Sequence, residues 1–141
     1  MKHAKIGAQR GFTLLELLVV LVIIGLLAGI VGPRLFANVD KSKVTTAKAQ
    51  INVLSKAVEQ LRLDIGRYPT QQEGLNLLMS PPADGTPGWG GPYLSKAVPL
   101  DPWGTPYLYK YPGTRNPDYD IVSSGADKKP ATANANAELH N

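Results

Sequence analysis

Phe12 to Val31 is a run of twenty residues whose only clearly polar members are Thr13 and Glu16. Wound as a helix at ~1.5 Å per residue, the run spans ~30 Å, the thickness of a bilayer core. Such a segment belongs in a membrane or against other apolar helices. A carboxylate inside it costs roughly 2.5–3.5 kcal/mol at mid-bilayer. Glu16 therefore needs a reason to be there.

Lys2, Lys5 and Arg10 precede the run. A basic start before an apolar core also describes a cleaved secretory signal, and the small residues of "LAG", Leu27 to Gly29, resemble a cutting site. Two features oppose that reading. The apolar core of a signal peptide is roughly 7–15 residues, and the text beyond this run keeps a helical pattern. From Val44 the apolar residues fall at Val44, Ala47, Ile51, Leu54, Val58, Leu61 and Ile65, in steps of three and four. That is the seam of an amphipathic helix. Ala49, Val53 and Ala57 form a second, smaller stripe, which implies that this helix is covered from more than one side. The spacing predicts one helix from Phe12 to about Ile65, bent near Pro33, loosened around Asn38 to Lys41 and capped by Gly66.

Beyond Gly66 the texture changes. "TQQE", Thr70 to Glu73, is a capping box opening a short helix through Leu75, Leu77 and Leu78. Ser80 to Pro106 is rich in Pro and Gly and reads as loop. "YLYKY", Tyr107 to Tyr111, and "YDIVS", Tyr119 to Ser123, read as strands joined by "PGTRNPD". A polar loop, or a frayed tail, follows Gly125. Residues 66–141 are too few to make a sufficient core alone. The amphipathic half of the long helix is what they can pack against.

Composition removes several function classes. Without the leader's three basic residues, 12 Lys and Arg face 11 Asp and Glu, so there is no basic stripe for nucleic acid. No Cys is present, which excludes disulfides, thiolate metal sites and cysteine nucleophiles. The two His residues, His3 and His140, are placed in the leader and beside the C-terminus, not where they would serve a nucleophile. "GWGGPY" lacks the Lys and Ser/Thr of a phosphate loop and reads as a turn. Asp118 and Asp120 lie two apart on a strand end, where carboxylates are usually solvated. The expectation is that the chain is not an enzyme.

A short basic leader ending in Gly11, then Phe12, Thr13, Leu14, Leu15 and Glu16, then an apolar helix, resembles the type IV pilin and pseudopilin signature. "YPTQQEGLNLL" (Tyr68 to Leu78), "LDPWGTPY" (Leu100 to Tyr107) and "DIVSSGAD" (Asp120 to Asp127) narrow the likeness to the major pseudopilins of bacterial type II secretion. The resemblance covers nearly the whole chain. It implies an α+β, type IV pilin-like fold: one long N-terminal helix packed on a small antiparallel sheet with a C-terminal loop. It divides the chain into a prepilin leader (1–11), a transmembrane and filament-core helix (12–33), an amphipathic half (34–65) and a periplasmic globular region (66–141).

The same likeness implies a working life. A prepilin peptidase would cut between Gly11 and Phe12 and methylate the new amine. The subunit would wait in the inner membrane as a single pass, N-terminus cytoplasmic and globular part periplasmic. Charge bias alone does not orient it, because Arg34, Lys41, Lys43 and Lys48 flank the run on the other side. An assembly platform and its ATPase would build a homopolymer with minor pseudopilins, pushing exoproteins through a secretin channel. Glu16 would meet the α-amino group of a neighbouring Phe12, offsetting the desolvation that either charge suffers alone. Two other functions are compatible with parts of the text. One is the major pilin of a type IV pilus, although such pilins often close a loop with a disulfide that this chain cannot form. The other is a membrane-tethered periplasmic binding domain, which has no use for the second helical stripe or for a cut at Gly11.

Members of this family bind one calcium in the C-terminal loop. Here the resemblance points to Asp127 and Glu138 as carboxylates and to Asn134 or Asn136 as a neutral oxygen. Ser124 and Thr132 would be carbonyl donors. Calcium takes six to eight hard oxygens and its affinity follows the number that are charged. Two carboxylates in place of about three imply a weakened site. Hydrogen bonds, with Asn side chains closing turns, are the other way to hold this loop.

Overall fold

The structure is a computed structural model and describes residues 11–128 together with the backbone of 139–140. Its elements are helix α1 (Leu14–Ile65), a 3₁₀ turn (Gly74–Leu78) and strands β1 (Leu108–Lys110), β2 (Asp120–Ser123) and β3 (Leu139–His140). The chain forms two compact units, Met1–Val39 and Asp40–Asn141.

α1 starts at Leu14 and not at the expected Phe12, because Thr13 takes the capping position. The helix is unbroken through Asn38 to Lys41, where loosening was expected. Weak helix formers there cost a few tenths of a kcal/mol each, and a helix once nucleated carries them. The Thr45 hydroxyl also donates to the Lys41 carbonyl at 3.1 Å. Pro33 sits inside α1, preceded by Gly32, whose missing Cβ relieves the usual clash before proline. α1 ends at Gly66, with φ +77° and its N–H donated to the Arg62 carbonyl at 2.8 Å. That is the left-handed cap expected from sequence.

In the first unit, residues 11–31 are all exposed, and α1 is long and apolar enough to cross a membrane. In the second, the amphipathic seam makes the core. Ile51, Leu54, Val58 and Leu61 pack with Leu75, Leu77, Leu78, Tyr107, Tyr109, Tyr119 and Ile121. Ala47 is buried too, while Val44 and Ile65 are half-buried. The second stripe behaves differently. Only Ala57 is covered, and Ala49 and Val53 face solvent.

The strands form one antiparallel sheet in the order β1-β2-β3. Leu108 pairs with Val122, Tyr109 with Ile121 and Lys110 with Asp120. Both predicted strands are shorter than the sequence indicates, and Tyr107, Tyr111 and Tyr119 lie just outside them. The β1 edge is closed by a side chain: Gln71 donates to the Tyr109 carbonyl (2.9 Å) and accepts from the Tyr111 N–H (2.8 Å). β3 was not anticipated. It ties the C-terminal end to Val122 and Ser123, where the sequence showed only loop or tail.

Thr70 and Glu73 bond reciprocally at 2.8 and 3.3 Å, as the capping box requires, although the helix that follows is a single 3₁₀ turn. Gly74 opens that turn at φ +53°, in the left-handed region that glycine adopts without strain. Arg67 clamps Glu73 with two bonds, at 2.7 and 2.9 Å. This Arg67 bond, reinforced by Thr70, outweighs burial and holds the Glu73 carboxyl at about 2. "GWGGPY" is the expected turn, packed by aromatics: Trp89 donates to the Leu77 carbonyl and meets Tyr93 edge-on.

Asp118 and Asp120 are not a solvated pair. Asp118 is exposed and precedes the strand, whereas Asp120 is 2% exposed. The Asp120 carboxylate accepts the N–H groups of Thr114 (2.6 Å), Asn116 (2.9 Å) and Arg115 (3.1 Å), and the Thr114 hydroxyl (2.9 Å). It closes the β1–β2 connection from within. Burial alone would raise its pKa, but these donors prevail and hold it at about 2. The fold of this loop also demands glycine at 113, because a Cβ there would collide with the Asn116 carbonyl and Tyr119 backbone.

Candidate functional site

The first candidate site lies at the start of α1 and just before it. The Thr13 N–H donates to Glu16 Oε2 at 2.9 Å, and the Glu16 N–H donates to Thr13 Oγ1 at 3.2 Å. The first helical carbonyl bond runs from the Leu17 N–H to Thr13 at 3.2 Å. This is a capping box, in which two orphan amides of a helix start are satisfied reciprocally. Sequence reasoning recognised "TQQE" and missed "TLLE", although both carry the same Thr-x-x-Glu spacing. Thr13 is thus a capping residue that an available signal would have found.

Glu16 lies among Phe12, Leu15, Val19 and Val20. It stands in the first turn of α1. Phe12 is 84% exposed. Among the described residues, no atom beyond the immediate chain neighbours lies within 4 Å of where a Cβ on Gly11 would stand.

The second candidate is the C-terminal loop. Ser124 is buried and Asp127 exposed, on either side of a turn in which the Lys128 N–H reaches the Gly125 carbonyl at 3.4 Å. Thr132, Asn134, Asn136 and Glu138 lie outside the described residues. Among the described residues no cluster of three His, Cys, Asp or Glu could hold a metal. The structure adds a group that the sequence did not flag. Asp101, 3% exposed, accepts the Ser123 hydroxyl at 2.6 Å and the N–H groups of Trp103 and Thr105 at 3.1 and 2.8 Å. Ser123 Oγ in turn accepts from the Gly125 N–H at 3.2 Å. The "DPWGT" loop thereby fixes the base from which the C-terminal loop departs.

Comparison with known proteins places this geometry. Residues 34–141 match the family described as type II secretion system (T2SS), protein G. Residues 6–32, which include Gly11, Phe12 and Glu16, match the prokaryotic N-terminal methylation motif. The chain is 41% identical over 136 residues to the type II secretion system core protein G of Pseudomonas aeruginosa, covering 94% of each. It is 37% identical over 139 residues to that of Vibrio cholerae, covering 97% of this chain and 94% of the relative. Its structure is similar to that of the major pseudopilin from the type 2 secretion system of enterohaemorrhagic Escherichia coli. There the TM-score is 0.63 at 32% identity, over 77% of this chain and 94% of the other. The α+β, type IV pilin-like fold expected from sequence is the fold observed. On a match that spans both the membrane helix and the globular unit, the chain belongs to the type II secretion system protein G family.

Proposed function

We propose that this chain is the structural subunit of a type II secretion pseudopilus, a homopolymer that drives folded exoproteins across the outer membrane. The observation that carries the reading is the end-to-end similarity to core protein G, joined to the methylation motif over residues 6–32. That similarity favours secretion over a type IV pilus and over a tethered binding domain. The role is mechanical and not catalytic.

In this reading residues 1–11 are the leader, 12–33 the membrane and filament-core segment, 34–65 the amphipathic half and 66–141 the globular part. A prepilin peptidase cuts after Gly11, where a residue without Cβ lets the enzyme approach the backbone closely, and methylates Phe12. The α1 segment anchors the subunit in the inner membrane, with the globular part in the periplasm. Assembly platform, ATPase, minor pseudopilins and secretin are the partners of that life cycle.

Glu16 then has two roles at once. Within its own chain it caps α1. Across the filament it meets the methylated α-amine of a neighbouring Phe12, and ~6 Å of helix separates the two positions. A carboxylate has about four lone-pair sites, so an oxygen holding the Thr13 N–H leaves the other available. The intact mass of the membrane form tests the reading. Loss of residues 1–11 plus one methyl is the expected result. A chain left uncut, or cut after Gly29, would contradict it.

A further inference from the structure

Between Glu16 and Glu59 the sequence holds one acid, Asp40, against five bases: Arg34, Lys41, Lys43, Lys48 and Lys56. All of them stand on α1. Lys43 is half-buried and the other four bases are exposed. Among the described residues the cations that pair with carboxylates are Arg62 and Arg67, and none of these five does. Such a run usually faces water alone, but this one begins three residues after the apolar run Phe12 to Val31 ends.

The hydrocarbon core of a bilayer is ~30 Å thick and the whole ~40–45 Å, which leaves roughly 5–8 Å of headgroups on each side. At ~1.5 Å per residue, Arg34 stands ~4.5 Å past Val31, and Leu35 and Phe36 stand ~6–8 Å past it. All three fall within the headgroup layer. Leu35 and Phe36 are 58% and 74% exposed, and the acyl boundary of that layer takes apolar side chains. Lys41 and Lys43, at ~15 and ~18 Å, lie roughly one Debye length (~8 Å) above the headgroups. Their long stems can bend back toward the layer. Lys48, at ~26 Å, is more than two Debye lengths away.

The placement around the helix agrees. Lys41 and Lys43 are two residues apart, so at ~100° per residue they leave α1 on opposite sides. A partner on one face would meet one of them, whereas a layer surrounding the helix meets both. Orientation does not account for these charges. Once residues 1–11 are removed, the other end of the span keeps only the Phe12 amine. The bases then gather on the side that the positive-inside rule leaves poor in them.

We propose that Arg34, Lys41 and Lys43 hold the anionic phospholipid headgroups of the leaflet from which α1 emerges, with Leu35 and Phe36 seated in the same layer. The inference rests on the membrane reading above and adds a lipid class to it. Such a collar fixes the depth of the subunit. Sliding one way takes cations into hydrocarbon, and sliding the other takes Leu35 and Phe36 into water.

The chain has no Cys, so Ala37→Cys gives a single attachment point for a fluorophore, exposed and between Arg34 and Lys41. The full-length chain is placed in vesicles of phosphatidylcholine and phosphatidylglycerol, with a spin-label quencher high on the acyl chain of one lipid or the other. Phosphatidylglycerol should quench as though about fivefold enriched at the fluorophore, the effect of one cation at an anionic surface. The enrichment should vanish in Arg34→Gln/Lys41→Gln/Lys43→Gln, and in about 1 M salt, where the Debye length is ~3 Å. It should persist in Lys48→Gln/Lys56→Gln. Equal quenching by the two lipids at low salt overturns the proposal. So does an enrichment that survives the triple substitution or high salt, or one that is lost in Lys48→Gln/Lys56→Gln. Quenching by neither lipid would show that this segment is not at a bilayer, and would overturn the membrane reading together with the proposal.

Discussion

Thr13 and Glu16 hold each other: each backbone N–H is donated to the other's side-chain oxygen, at 2.9 and 3.2 Å. The relationship answers why an acid stands in an apolar run. Glu16 completes the helix start on which its own placement depends. A side chain in an α-helix leans toward the N-terminus, so the carboxylate leans toward the side of Phe12, whose amine in a neighbouring copy is its proposed partner. Both the folding role and the proposed assembly role use the same carboxylate.

Asp120 and Glu73 make the globular unit sensitive to acid. Each carboxyl is held at about 2, below its ordinary value of 3.8 or 4.5. A carboxyl lower in the folded than in the unfolded chain stabilises fully above the unfolded value, and that contribution disappears as pH falls through the folded value. Stability should therefore drop between about pH 5 and pH 2. Asp120→Asn should cost about 2 kcal/mol at pH 7, with wild type and variant converging near pH 2. Denaturant midpoints across that range check it, and parallel curves would show that Asp120 is not the group responsible.

The Asp101–Ser123 bond joins the "DPWGT" loop to the end of β2. Hydrogen bonds to charged groups contribute about 1.5–3 kcal/mol. Ser123→Ala should cost that much in the wild-type background and less than about 0.5 kcal/mol beside Asp101→Ala, the mark of direct coupling. Hydrogen exchange at the Gly125 N–H should also quicken in Ser123→Ala. Additive losses would mean that the two side chains act independently.

Calcium at the C-terminal loop is a proposal resting on family resemblance, with Asp127 the one described carboxylate. A ligand that binds only the folded state raises its melting midpoint. The full chain in detergent should melt higher in millimolar calcium than in chelator, and Asp127→Ala should abolish the difference. An equal midpoint in both would show that hydrogen bonds alone hold the loop.

Much of this was legible because it depends on short-range rules. The seam Ala47, Ile51, Leu54, Val58, Leu61 obeys helical periodicity, and Gly66 ends the helix by the ordinary left-handed cap. Glu16 was legible as an anomaly because a charge in an apolar run stands out. The features missed are those that join distant parts of the chain. Asp120 looked solvated because its donors, Thr114 to Asn116, fold back onto it only when the loop closes. Asp101 meets Ser123 across 22 residues, and Leu139–His140 finds β2 through pairing that a polar text does not announce. Thr13 was local and could have been read.

Glu16→Gln separates the two roles most cleanly, because glutamine can still cap the helix but carries no charge to pair with the amine of Phe12. The measurement is filament yield and exoprotein secretion in cells expressing Glu16→Gln at wild-type levels, beside Thr13→Ala. The account predicts that Glu16→Gln inserts and is processed yet forms no filaments and secretes nothing, while Thr13→Ala, which keeps the charge, retains part of both. Normal filaments and secretion from Glu16→Gln would contradict it, and would reduce the carboxylate to a helix cap.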